Sequence, residues 1–118
     1  MVTAKPSILL IDDQEGIVKF LTVKLKESGY LVSCALDGEK GLELARKTNP
    51  DLILLDIIMP GIDGVEVLRR LRQFSNVPVI VVSIAEGINE KVIAMGATAF
   101  VSKPFDITEL MGLIKTII

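Results

Sequence analysis

At 118 residues, half of them hydrophobic, the chain is long enough for one domain with one core and too apolar to be disordered. Thirteen basic against fifteen acidic residues give a net charge of −2 with no basic run, which speaks against nucleic acid as a direct ligand. The chain has no histidine, which excludes a Ser-His-Asp or Cys-His site, a His-ligated zinc and a phosphohistidine carrier; phosphohistidine chemistry must take its histidine from a partner.

In chain order, residues 7–11 (SILLI) form an apolar run that ends at Asp12-Asp13, which predicts a buried strand running into a pair of acids. Ile17, Val18, Phe20, Leu21 and Leu25 then recur at helical spacing, and Gly29 is a helix stop. Residues 30–36 (YLVSCAL) read as the next strand, with the lone Cys34 as a small buried hydrophobe. Asp37 caps a predicted helix to about residue 47, with Leu42, Leu44 and Ala45 inward; Gly38 and Gly41 weaken it. Residues 52–56 (LILLD) predict a strand covered on both faces that delivers one carboxylate, Asp56, to the loop carrying Met59-Pro60-Gly61.

Asp63 opens a third helix, with Glu66 at capping-box spacing. Val65, Leu68 and Leu71 are expected inside, and Arg69, Arg70 and Arg72 on a solvated face. Residues 77–84 (VPVIVVSI) are a fourth strand, residues 86–95 a short irregular helix, residues 99–102 a fifth strand, and Asp106 caps a last helix to about residue 118. No signal peptide is visible. The apolar runs fall well short of the ~20 residues a membrane span needs, so a cytoplasmic protein away from the membrane is expected.

Strands alternating with helices predict an α/β, doubly wound parallel sheet with helices on both faces and one domain over residues 1–118. Ligands of such sheets bind beyond the carboxyl ends of the strands. The polar residues fall there: Asp12 and Asp13, Asp56, Ser83 and Lys103. Carboxylates meeting at one sheet edge repel, and either protonation or a cation relieves this. With oxygen ligands alone, Mg²⁺ is the natural ion, and Mg²⁺ goes with phosphate chemistry. A carboxylate can attack phosphorus, Lys103 can neutralise phosphoryl oxygens, and Ser83 can donate to one. Singly these residues read as turn, cap or backbone-satisfied groups; jointly placed, they read as a site.

The sequence resembles a receiver domain of two-component response regulators over essentially its whole length. The matching motifs are LLIDDQ at 9–14, DLILLDIIMPGIDG at 51–64, PVIVVS at 78–83, GA at 96–97 and FVSKPF at 100–105. The resemblance implies a flavodoxin-like (βα)5 three-layer sandwich with strand order 2-1-3-4-5. It implies Asp56 as phosphoacceptor, Asp12 and Asp13 as the pair that holds Mg²⁺, and the backbone carbonyl of Ile58 as a further ligand. It makes Ser83 the switch hydroxyl, Lys103 the phosphate-contacting lysine, Phe100 the aromatic switch residue, and the Lys103–Pro104 peptide cis.

The mechanism so implied passes a phosphoryl group from a phosphohistidine to Asp56, shifting a surface of the fourth helix, fifth strand and fifth helix. The donor is a sensor histidine kinase or histidine phosphotransfer protein, and the output partner is unknown. The protein catalyses its own phosphorylation, but its output is binding. The stretch from Ser83 to Lys103 is shorter than is usual in the family. The last helix is unusually apolar at Met111, Leu113, Ile114, Ile117 and Ile118, which core packing, a homodimer or other interface, or a longer chain would explain. Ile58 and Ala85 cannot orient an attacking water, so a slowly hydrolysing phosphoaspartate is expected. The rival readings are a phosphate-independent receiver-like binding module, a Mg²⁺-dependent phosphohydrolase, which would want an acid-base group where Ile58 stands, and a flavin-binding protein, whose phosphate Asp12-Asp13 would repel.

Overall fold

The computed structural model describes residues 4–118. In it strands and helices alternate: β1 (Ser7–Ile11), α1 (Glu15–Glu27), β2 (Leu31–Ala35), α2 (Gly38–Thr48), β3 (Leu52–Leu55), α3 (Gly64–Leu71), β4 (Val79–Ser83), α4 (Asn89–Ala94), β5 (Ala99–Ser102) and α5 (Ile107–Ile117). The strands form one parallel sheet in the order β2-β1-β3-β4-β5. This is the flavodoxin-like α/β arrangement expected from the sequence.

The apolar runs are unbroken because both faces of the central strands are covered. Ile8, Leu10, Leu54, Ile80 and Val82 point to one face and pack under α1 and α5, against Val18, Leu21, Leu25, Leu110 and Ile114. Leu9, Ile11, Ile53, Leu55 and Val81 point to the other, under α2, α3 and α4. Caps set the helix starts. Asp37 accepts from the Lys40 amide at 2.8 Å, Asp63 from Glu66 at 3.0 Å, and Asp106 from Thr108 at 2.8 Å and Glu109 at 3.1 Å.

Several expectations need correction. Cys34 is exposed, not buried, because β2 is an edge strand that also leaves Leu31 uncovered. Phe20 lies outside the core, with the Lys24 ammonium over its ring. In α3 the buried set is Val67, Leu68 and Leu71, and Val65 is only half-buried.

Nor are the α3 arginines merely solvated. Arg70 reaches Glu39 at the start of α2, and the Arg72 guanidinium holds the Gly96 carbonyl at 2.7 and 3.2 Å. The capping box is half made, since Glu66 turns to Arg69 and Arg70. These two guanidiniums hold its carboxyl at about 2. α4 starts at Asn89 rather than 86, because Gly87 at φ 70° is left-handed and keeps the loop out of the helix. Of the apolar surplus on α5, Ile114 is buried and Met111, Leu113 and Ile117 pack on the same cluster, leaving Ile118 on the surface. Among the described residues no helix is long and apolar enough to cross a membrane.

Candidate functional site

Parallel register brings the acids together. Ile11 is level with Leu55, so the next residues, Asp12 and Asp56, leave the sheet side by side, and the Asp56 amide donates to the Ile11 carbonyl at 2.9 Å. Ser83 ends β4 level with Ser102 on β5, and the Lys103 amide donates to the Ser83 carbonyl at 3.0 Å. All these groups thus emerge at the carboxyl edge of the sheet, where the order changes direction around β1 and β3.

Asp12 and Asp56 are buried and Asp13 is half-buried; one oxygen from each lies within 4.8 Å of the others. The Lys103 side chain, 6% exposed, reaches into the cluster. Its ammonium donates to Asp12 Oδ2 at 2.8 Å, Asp56 Oδ2 at 3.1 Å and Gln14 Oε1 at 2.8 Å. The outer carboxylate oxygens take backbone donors: Asp12 Oδ1 accepts from the Gln14 amide at 2.9 Å, and Asp56 Oδ1 from the Ile58 amide at 3.2 Å. The Lys103–Pro104 peptide is cis, as the resemblance implied.

One cation shared by several carboxylates leaves the site short of positive charge. Burial raises the Asp12 carboxyl above its ordinary value, and the Lys103 and Gln14 donors only partly offset this. Burial would lower the Lys103 ammonium, but Asp12 and Asp56 outweigh it and hold the ammonium above the usual lysine range. Three carboxylates against one ammonium, all with oxygen donors, form a site that can hold a hard divalent cation.

Ser83 is fully buried, and its hydroxyl accepts from the Ala85 amide at 3.2 Å. Phe100 is half-buried against the core on the α2–α4 side and lines a groove of about 370 Å³ with Ile84, Ala85, Ser102 and Lys103. Ser83 and Phe100 face the same side of the sheet, because Phe100 is level with Val81, two residues before Ser83. The Ile58 side chain stands 53% exposed at the mouth, so it is the backbone of Ile58 that turns to the site.

Two residues that sequence reasoning passed over belong to this region. Gln14 reads in the sequence as the end of LLIDDQ and the start of the first helical stretch, yet its side chain holds Lys103. A glutamine directly after two acids, at a helix N-cap where Ser, Thr, Asp or Asn is preferred, was the available signal. Gly64 opens α3 directly against β3: its amide donates to the Ile57 carbonyl at 2.8 Å, and an added Cβ would lie 2.6 Å from Ile57 Cα. No pattern in the sequence announces that approach.

A family model described as the response regulator receiver domain matches residues 8–115. A response regulator named ArlR from Staphylococcus haemolyticus is 34% identical over 114 residues, covering 95% of this chain and 52% of that protein. An uncharacterized transcriptional regulatory protein, YkoG, from Bacillus subtilis is 40% identical over 114 residues, covering 94% of this chain and 50% of the relative. The chain therefore spans about half the length of these curated relatives. Among solved structures, the receiver domain of the Francisella response regulator 1452 superposes with a TM-score of 0.90 at 33% identity, covering 96% of each chain. Response regulator TrrA of Thermotoga maritima, solved in complex with Mg²⁺-BeF, gives 0.87 at 32% identity, covering 96% of this chain and 99% of that one.

Proposed function

The chain belongs to the response regulator receiver domain family of two-component systems, and from that premise we propose that it is a phosphorylatable switch with Asp56 as its phosphoacceptor. The observation that carries this reading is the Lys103 ammonium bridging buried Asp12 and Asp56 inside a cluster of three carboxylates. A structural ion pair needs one acid per base; the surplus negative charge here suits a divalent cation and a phosphoryl group. Oxygen-only donors favour Mg²⁺, which Asp12, Asp13 and Asp56 would hold together with the Ile58 carbonyl. Bound there, Mg²⁺ supplies positive charge against the phosphoryl oxygens.

The chain's own residues do the rest. A carboxylate oxygen of Asp56 attacks phosphorus; the new O–P bond forms as the N–P bond of a partner's phosphohistidine breaks, and the electron pair stays on the imidazole nitrogen. The Lys103 ammonium pairs with a phosphoryl oxygen. The Ser83 hydroxyl turns from the Ala85 amide toward another, and Phe100 enters the space it leaves. The surface of α4, β5 and α5 is thereby biased between two states that an output partner can read. The family supports a sensor histidine kinase or a histidine phosphotransfer protein as the donor, and these 118 residues contain no histidine of their own. We read residues 1–118 as one receiver unit, with the cytoplasm as its place of action.

The test is intact mass after incubation with a small phosphodonor and Mg²⁺, wild type beside Asp56→Asn. One added phosphoryl group in wild type alone, lost on chelation, is the expected result. No gain in wild type overturns the reading in favour of a phosphate-independent binding module.

A further inference from the structure

The Lys103 ammonium has three N–H bonds, and each has its own acceptor: Asp12, Asp56 and Gln14. Two of the three are cation ligands in the proposed function, and Asp56 is also the nucleophile. Both are therefore engaged elsewhere during the reaction. Gln14 Oε1 is different. It is neutral, so it competes little with the carboxylates for a cation and does not repel an arriving phosphoryl group. It stays available to the ammonium while the other two acceptors change partners.

The local structure of Gln14 supports a dedicated role. It is the N-cap of α1, yet its side chain makes no cap bond. The amide oxygen goes instead to Lys103, 89 residues away. A position that breaks the usual capping rule while making a long-range polar contact is where a functional constraint is expected. The Gln14 amide also donates to Asp12 Oδ1 at 2.9 Å, so one residue holds the acid through its backbone and the base through its side chain.

We propose that Gln14 is a positioning residue: its amide oxygen, 2.8 Å from Lys103 Nζ, keeps the ammonium at the acid pocket while Asp12 and Asp56 are occupied by cation and phosphoryl group. The role rests on the phosphoacceptor reading for its purpose, but the positioning itself is readable without phosphate.

Two measurements test it, both on Gln14→Leu and wild type. The first is covalent labelling of amines in saturating Mg²⁺ without phosphodonor, read by peptide mass spectrometry. Lys103 stays protected in wild type and becomes several-fold more reactive in Gln14→Leu, while other lysines keep their rates; Gln14→Glu, which retains the acceptor oxygen, restores protection. The second is the rate of Asp56 phosphorylation by a small phosphodonor. Loss of one hydrogen bond to a charged group predicts a slowing of roughly tenfold in Gln14→Leu. Because the effect runs through Lys103, it disappears in a Lys103→Met background. Equal Lys103 labelling in wild type and Gln14→Leu overturns the proposal, as does an equal slowing in both backgrounds. Raised Lys103 labelling in Gln14→Leu, beside a wild type that takes no phosphoryl group, would leave Gln14 as the anchor of Lys103 and overturn the phosphoacceptor reading instead.

Discussion

Lys103 sits at the centre of the acid cluster, so stability and the proposed chemistry both depend on it. Its ammonium is the counter-ion of buried Asp12 and Asp56, so its removal strands two carboxylates at one sheet edge. Breaking a buried ion pair typically costs 3–5 kcal/mol; the pocket mouth opens to water, so Lys103→Met is expected to cost about 2–3 kcal/mol in a chelator. Mg²⁺ should then stabilise the variant more than wild type, because it replaces the missing charge; urea denaturation with and without Mg²⁺ measures both. At the same scale, Ile58 and Ala85 offer no polar side-chain atom at the site mouth, where Ile58 is exposed and Ala85 half-buried. No side chain there can orient water for attack on a phosphoaspartate. The phospho-form of wild type should decay slowly, and Ile58→Asn with Ala85→Gln should shorten its lifetime, followed by intact mass against time. The acids and Lys103 were readable as a site because charge at the end of an apolar strand is costly without partners. Gln14 carries no such penalty, being an exposed glutamine, and its departure from the N-cap preference was the one local sign of it.

Elements place these residues by how closely they pack. Gly64 lets α3 begin almost on top of the β3 exit, and so fixes the loop that carries Asp56. Gly64→Ala would push a Cβ into the Asp56 carbonyl and Ile57 Cα, both backbone, which can give way only by moving the strand end. A loss of about 2–3 kcal/mol is expected despite the better helix propensity of alanine, together with slower phosphorylation of Asp56. Thermal unfolding and the mass assay check the two halves of that prediction. Gly41 belongs to the same logic. It reads as a weak point in α2, yet its missing side chain is what admits Ile11, whose Cδ1 lies 2.6 Å from where a Cβ would be. The α3 arginines likewise read as solvated, whereas Arg72 ties the end of α3 to the turn between α4 and β5 through the Gly96 carbonyl. In each case periodicity named the helix correctly but not the partner across from it.

Across the whole molecule, cover is uneven. β1, β3 and β4 lie inside the sheet, with β3 and β4 fully buried, while β2 and β5 form the edges and carry exposed or half-buried residues. α4 has six residues and no side-chain cap at its start. Opening free energy should follow that cover. Amide hydrogen exchange is expected to be slowest in β1, β3 and β4, faster in β2 and β5, and fastest in α4 and the loop before it; β2 exchanging as slowly as β3 would contradict this. The gradient suits the proposed switch, in which the well-covered strands carry the acids and the less covered α4 and β5 carry the surface that a partner reads.

The order of elements, their type and the doubly wound fold were determined by the sequence alone, because apolar runs, helical spacing and turn residues are local signals. The acids at the strand ends were legible for the same reason, and five motifs in order made the family legible. Only the tertiary structure decided that Cys34 faces outward from the edge strand β2, which residue would take the third hydrogen of Lys103, and which glycines mark close approach. Such features depend on which segments meet in space, as Gln14 meets Lys103 and Gly41 meets Ile11. Their physical basis is what each residue meets across the fold, and that is written in no single stretch of sequence.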